Sequence, residues 1–298
     1  MELMARLYPL DDASRAHLLE LLDPAPKATS GRFPVSVADP RLPRIMEAVD
    51  AAGGVWVSGE AVFLPAELAA ATHFEAVCRL VVREMDRDAE VNRATVQRSP
   101  PIDAGGFRSI RLVQGLVLSK IRMKPNVIGA IGEASGEYLV GEAVSRALKA
   151  AGCTGYTLLP ITDPKHDAEW REYHHLYGES LLPPVVADCT IQRIRSPYPE
   201  EDGTLRALGC LSYRPEDLDQ RPDFNRTAEP WGGHSGAPSW VVSARVPTMF
   251  KTLRLRGWAF RPVLVQGSEL HRKYLAQWEQ LQAIVGRTRN SRFDGGRW

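Results

Sequence analysis

Two stretches of this chain, Glu137 to Ile161 and Ser239 to Val263, align without a gap at a constant offset of 102 residues. They read EYLVGEAVSRALKAAGCTGYTLLPI and SWVVSARVPTMFKTLRLRGWAFRPV, with identities at Val140/Val242, Val144/Val246, Lys149/Lys251, Gly155/Gly257 and Pro160/Pro262. Character is kept at Tyr138/Trp240, Leu148/Phe250, Tyr156/Trp258 and Ile161/Val263. Each copy has the pattern of a short apolar strand, a helix, a glycine and a second strand that opens on an aromatic residue. Ala143, Val144, Ala147, Leu148 and Ala151 form one helix stripe, and Val246, Met249, Phe250 and Leu253 form the other. Ser243 is placed to cap the second helix, and Pro247 falls in its first turn, where a missing amide costs little. Gly155 and Gly257 stand where the chain leaves each helix, a place for a left-handed residue. Neither copy can hide both its stripe and its strand face alone. The pattern therefore predicts an α+β fold in which two related strand-helix-strand units, about 137–161 and 239–263, share an interior and pack with additional helices and a C-terminal helix.

Around the repeats, the sequence divides into an N-terminal helical or mixed region, 1–125, and an α/β region, 126–298, that holds both copies. Ser14 is positioned to cap a helix over Ala16 to Leu22, followed by an irregular Pro-rich and Gly-rich stretch, Pro24 to Pro43. Arg44 to Ala52 has helical spacing that stops at Gly53-Gly54, and Val55 to Val57 suits a strand. Pro65 can open a long amphipathic helix whose apolar face, including Leu68, Phe74, Val77 and Leu80, runs to about Asp88. Arg108 to Ile121 is rich in Ile, Leu and Val and suits one or two strands. In Ser268 to Val285, Leu270, Tyr274, Trp278, Leu281 and Val285 mark a helix that docks on the core, before a tail, Gly286 to Trp298, expected to be mobile.

Composition narrows the function more than it defines it. Lys and Arg number 37 against 36 Asp and Glu, a formal charge of +1, so no global field draws the chain to nucleic acid or an anionic membrane. No apolar run has membrane length and the opening residues lack a signal pattern, so a cytoplasmic location is expected, with no membrane partner. The run Arg108, Arg111, Lys120, Arg122 and Lys124 could meet phosphate, yet no aromatic ladder interleaves with it, which argues against nucleic acid. Cys78, Cys153, Cys189 and Cys210 form no CxxC pair and are expected as buried thiols. Gly233 to Ala237 looks like a nucleophile elbow but has Ala237 where its second glycine belongs and no strand-to-helix context. His166, His174 and His175 lie among Asp163, Asp167, Glu169, Glu172 and Glu179, but their spacing does not suit a helical metal site, and a charged helix face is the simpler expectation. Gly129, Gly132 and Gly136 suit turns rather than a phosphate cradle. No cofactor, metal or catalytic residue is read from these patterns.

The second copy also resembles a known element. Its VSxR, followed by GWxFRPV, is carried here by Ser243, Arg245, Gly257, Trp258, Phe260, Arg261, Pro262 and Val263. It is similar to the closing element of bacterial immunity proteins from polymorphic toxin systems, in particular the double-CxxCG immunity family, which likewise has an earlier strand-helix-strand copy. Both CxxCG pairs are missing here, so no metal role is implied. The resemblance implies a cytoplasmic, non-catalytic protein that neutralises one cognate toxin by occluding it. Affinity would then come from a few aromatic and arginine anchors, for which Trp170, Tyr173, Tyr177, Trp231, Arg245 and Arg261 are the candidates. Two other readings stay open, an enzyme centred on His174, His175 and Glu172, and a scaffold or regulatory subunit of a bacterial assembly. The oligomeric state is not legible.

Overall fold

The computed structural model describes residues 1–22, 32–81, 96–98, 110–112, 116–118, 121–131, 137–163, 166, 168–178, 180–188, 191–194, 204–207, 209–231 and 237–293. They form two compact units, Met1–Ala70 with Leu208–Cys210 and Leu264–Trp298, and Ala71–Ala207 with Leu211–Val263. The dividing line thus falls at Ala70 rather than at residue 125, and the C-terminal helix returns to the N-terminal strands.

In the first unit, β1 (Glu2–Pro9) lies between β2 (Phe33–Ser36) and β3 (Val55–Val62), antiparallel to both. Arg292–Phe293 pairs with β3 in parallel and completes the sheet. Leu3, Ala5 and Leu7 alternate along β1 and are buried, which is the period of a strand with one covered face. That strand, and β2 inside the stretch expected to be irregular, were not anticipated. The core face is covered by α1 (Asp12–Leu21), α2 (Leu42–Ala51) and the C-terminal helix Glu269–Val285, through Leu18, Ile45, Met46, Trp278 and Leu281. Asp11 rather than Ser14 caps α1, its carboxylate accepting the Ser14 amide at 2.7 Å. Ser268 caps the C-terminal helix. Within the tail expected to be mobile, residues 289–291 are fastened, because Asp50 accepts the amides of Arg289, Asn290 and Ser291 at 2.8, 2.8 and 2.6 Å, and residues 294–298 lie outside those described. The helix that begins at Pro65 is short, α3 (Pro65–Ala70).

The second unit begins with β4 (His73–Cys78), which occupies the middle of the long helix expected there. Phe74 and Ala76 are buried at a spacing of two, so the strand period wins over the helical one. Then come β5 (Ile128–Ala130), β6 (Tyr138–Gly141), α4 (Glu142–Ala150), β7 (Thr157–Leu159) and β8 (Tyr173–Tyr177). The second copy is preceded by β9 (Phe224–Trp231) and consists of β10 (Ala237–Ser243), α5 (Arg245–Thr252) and β11 (Trp258–Pro262). Both expected strand-helix-strand units are therefore present. Val140, Val144, Leu148, Val242, Val246 and Phe250 belong to one core, so the copies do share an interior. Leu253 is the exception: it follows α5 and is exposed.

The topology of the copies is equivalent and reciprocal. Strand order is β7-β8-β6-β5 in one sheet, and β11-β4-β10-β9 recurs inside the other. In each, a strand from elsewhere separates the two strands of the copy and runs antiparallel to both. β4 precedes the first copy yet sits in the sheet of the second, while β8, which follows the first copy, sits in the first sheet. Registers agree, with Phe74 opposite Val242 and His174 opposite Val140. Beyond these strands the chain crosses over. The Ala130 amide donates to Leu80 O at 2.8 Å, and the Arg226 amide donates to Ser180 O at 2.7 Å. Likewise the Ile128 amide donates to Arg256 O at 2.9 Å, and the Phe224 amide to Thr154 O at 3.0 Å. The strands close a ring, β8 to β6 to β5 to the end of β4, then β4 to β10 to β9 to the end of β8. Gly155 and Gly257, at φ +84° and +109°, permit the close approaches at Phe224 O and Ile128 O.

Candidate functional site

Strand β9 is unusual in carrying Asn225, Arg226, Thr227 and Glu229, all buried. Buried polar groups must find partners, and most here do. Asn225 donates to Pro222 O at 2.8 Å and accepts the Ser180 hydroxyl at 2.8 Å. Thr227 donates to Glu229 O and accepts the Ser239 amide, both at 2.9 Å. Glu229 accepts the Val185 amide at 2.7 Å, while burial pushes its carboxyl above the ordinary range.

Arg226 is the centre of a charged group. Its guanidinium lies 4.8 Å from the Trp240 ring centroid and one nitrogen is 3.5 Å from Glu137 Oε1. The other Glu137 oxygen is 2.8 Å from His175 Nε2. Glu137 thus bridges an imidazole and a guanidinium, the arrangement by which a carboxylate orients a catalytic base. Accessibility decides against that use, because the side chains of His175, Glu137 and Arg226 are 0, 1 and 2 % exposed. What this triad can do is fix the mutual register of β8, β6 and β9.

A carboxyl whose folded pKa is raised favours the fold less as pH rises, since the unfolded chain releases the proton first. Glu229→Gln, which keeps an oxygen for the Val185 amide, is therefore expected to gain stability relative to the parent as pH rises from about 4 towards 8. Thermal unfolding across that range tests it, and a difference that does not change with pH would be the wrong result.

The remaining sequence candidates fall as follows. His174 and His175 lie on strand β8 and not on a charged helix; His175 is paired with Glu137, whereas Glu172 is exposed. Burial, with Lys149 nearby, pushes the half-buried His174 imidazole below its ordinary pKa. His166 is exposed and 2.6 Å from Asp163. No group of three potential metal ligands occurs among the described residues. Tyr173 and Tyr177 are buried and cannot serve as surface anchors. Tyr173 donates to Met123 O at 2.8 Å, and Trp170, half-buried beside it, donates to Leu118 O at 2.9 Å. Trp231 is half-buried at the end of β9.

Arg245 joins the two copies, donating to Ala151 O and Gly152 O at the end of α4 and lying 3.5 Å from Asp223, a favourable place for a cation. Ser243 donates to the same Asp223 at 2.6 Å instead of capping α5, whose cap is Ala244. Arg261 pairs with Glu75 across the sheet at 3.5 Å. Of the basic run, Arg122 and Lys124 are exposed. The other members, the Gly233–Gly236 loop and Cys189 lie outside the residues whose side chains are described.

Sequence reasoning missed the open face of the first unit's sheet. β1 pairs Tyr8 with Trp56, and Trp56 pairs with Arg292, so these residues share the face away from Leu7, Val57 and Phe293. Arg32 extends the row, its guanidinium 5.3 Å from the Tyr8 ring centroid. Trp56 is 38 % exposed, and Arg292 is exposed too. The next row holds Arg6 and Ser58, and Arg6 is bound at 2.6 Å by Glu60. Large aromatic and arginine side chains left in solvent have the composition of binding surfaces.

No helix among the described residues is long and apolar enough to cross a membrane. The chain matches no protein-family model and no curated protein sequence.

Proposed function

We propose that this chain is a non-catalytic binding protein of the bacterial cytoplasm, an immunity protein that neutralises a cognate toxin by covering it. The observation that carries the reading is the division of labour among its polar side chains. Glu137, His175 and Arg226 are enclosed in the fold, whereas the Arg32, Tyr8, Trp56 and Arg292 row stands on an open sheet face. Such a face can bind by complementarity alone. The likeness of Ser243 to Val263 to the closing element of immunity proteins supports the same reading, because Ser243, Arg245 and Gly257 have structural work between the copies. Co-expression in a bacterial host with the toxic product of a neighbouring gene tests it. Growth should be restored and the two proteins should purify as a complex. Undiminished toxicity with no complex would remove the proposal.

A further inference from the structure

Charge on the open sheet face is unevenly spent. Arg6 is neutralised by Glu60 at 2.6 Å, whereas Arg32 and Arg292 meet no carboxylate among the described residues. Both stand in one row, at opposite ends of Tyr8 and Trp56. Neighbouring strands are about 4.8 Å apart, so the three steps from the Arg32 backbone to that of Arg292 span roughly 14 Å. We infer that this row receives a carboxylate-bearing segment of a protein partner, with an acidic side chain at each guanidinium and an apolar or aromatic side chain against Trp56. The inference rests on the binding reading and adds the surface and the chemistry of the partner.

Guanidinium and carboxylate match as planar, two-pronged partners, and arginine beside an exposed tryptophan and a half-buried tyrosine is the composition of interface anchors. Single-stranded nucleic acid fits less well. Base stacking needs free ring faces, but the Tyr8 ring is already covered by Arg32. Glu60, on the same face and nearly half exposed, would also repel phosphate.

The test uses the full chain and a phage-displayed library of random dodecapeptides, with an oligo-dT dodecamer as the second probe. Selected peptides should carry paired Asp or Glu residues and bind at least about tenfold more weakly to the double variant Arg32→Glu, Arg292→Glu and to Trp56→Ala. All three side chains lie on the face away from the core, so the variants should stay folded, with only a small change in melting temperature. If selection yields no acidic peptides, if the variants bind them unchanged, or if oligo-dT binds and the peptides do not, the inference is wrong. A toxin that is neutralised equally by the variants would overturn this surface assignment while leaving the binding function intact. A chain that binds acidic peptides through this row yet protects against no toxin would overturn the immunity reading while leaving this surface assignment intact.

Discussion

Gly257→Ala is expected to lower the stability of the second unit by about 4 kcal/mol, at the upper end of single substitutions. Two costs add. The backbone there has φ +109°, and a left-handed conformation costs a residue with a side chain roughly 1 to 2 kcal/mol. An added methyl would also be driven into the Ile128 carbonyl oxygen and stand 2.8 Å from its carbon. Relief would require β5 to move, yet the amide of that same Ile128 donates to Arg256 O at 2.9 Å, one of the reciprocal bonds that join the copies. Gly155→Ala should behave similarly, since its methyl would meet Phe224 O and stand 2.6 Å from the Pro222 Cβ. Gly152 supplies the control. It has φ +60°, but its nearest neighbour, an Arg245 nitrogen, is 3.8 Å from the place of a Cβ, so Gly152→Ala should cost only the conformational part, about 1 kcal/mol. Denaturant unfolding of the three variants separates the terms. Equal losses at Gly152 and Gly257 would mean that the two copies do not approach as closely as their hydrogen bonds require.

The duplicated units were legible because their signal is local and occurs twice: a 3.6-residue apolar period ending at glycine, with Val140 and Val242 at the same place in each. The C-terminal helix was legible for the same reason, and its Tyr274, Trp278, Leu281 and Val285 are buried. The insertion of β4 between β10 and β11 was not. Leu68, Phe74, Val77 and Leu80 fit a helical face well enough to hide the alternation of Phe74 and Ala76 in β4, and the choice between the two periods is made by the distant β10 and β11. In β8 the consecutive histidines looked like a solvated face. His175 is buried against Glu137, 38 positions earlier, whose carboxyl oxygen lies 2.8 Å from its ring nitrogen, a pairing that no local pattern encodes. Tyr173 and Tyr177, on the same strand, are enclosed as well and cannot be the surface anchors that the resemblance implies. The open face of the first unit escaped notice because Tyr8, Trp56 and Arg292 become neighbours only through the register of three strands. The alternation of Leu3, Ala5 and Leu7 in β1, by contrast, was present in the sequence to be read.

Glu137→Leu is expected to destabilise the second unit by roughly 3 to 5 kcal/mol, and Arg226→Met by a similar amount, whereas the double variant should lose much less than their sum. Glu137 and Arg226 are 3.5 Å apart and both are almost completely removed from water. Desolvation offsets much of the attraction within a buried pair, so the pair as a whole contributes little beyond what apolar side chains of similar size would provide. Removing one member is different, because the other keeps its desolvation cost and loses its counter-charge. For Arg226 the Trp240 ring, 4.8 Å from the guanidinium carbon, offers partial compensation, which cation–π magnitudes put at about 1 to 2 kcal/mol. Glu137→Leu should therefore cost somewhat less than Arg226→Met, although it also strips His175 of the acceptor at 2.8 Å. A double-mutant cycle measured by denaturant unfolding should give a coupling of about 3 kcal/mol or more, at or above the top of the range usual for contacting residues. Additive losses would show that the two charges are stabilised independently, and the triad would then no longer account for how β6, β8 and β9 hold their register.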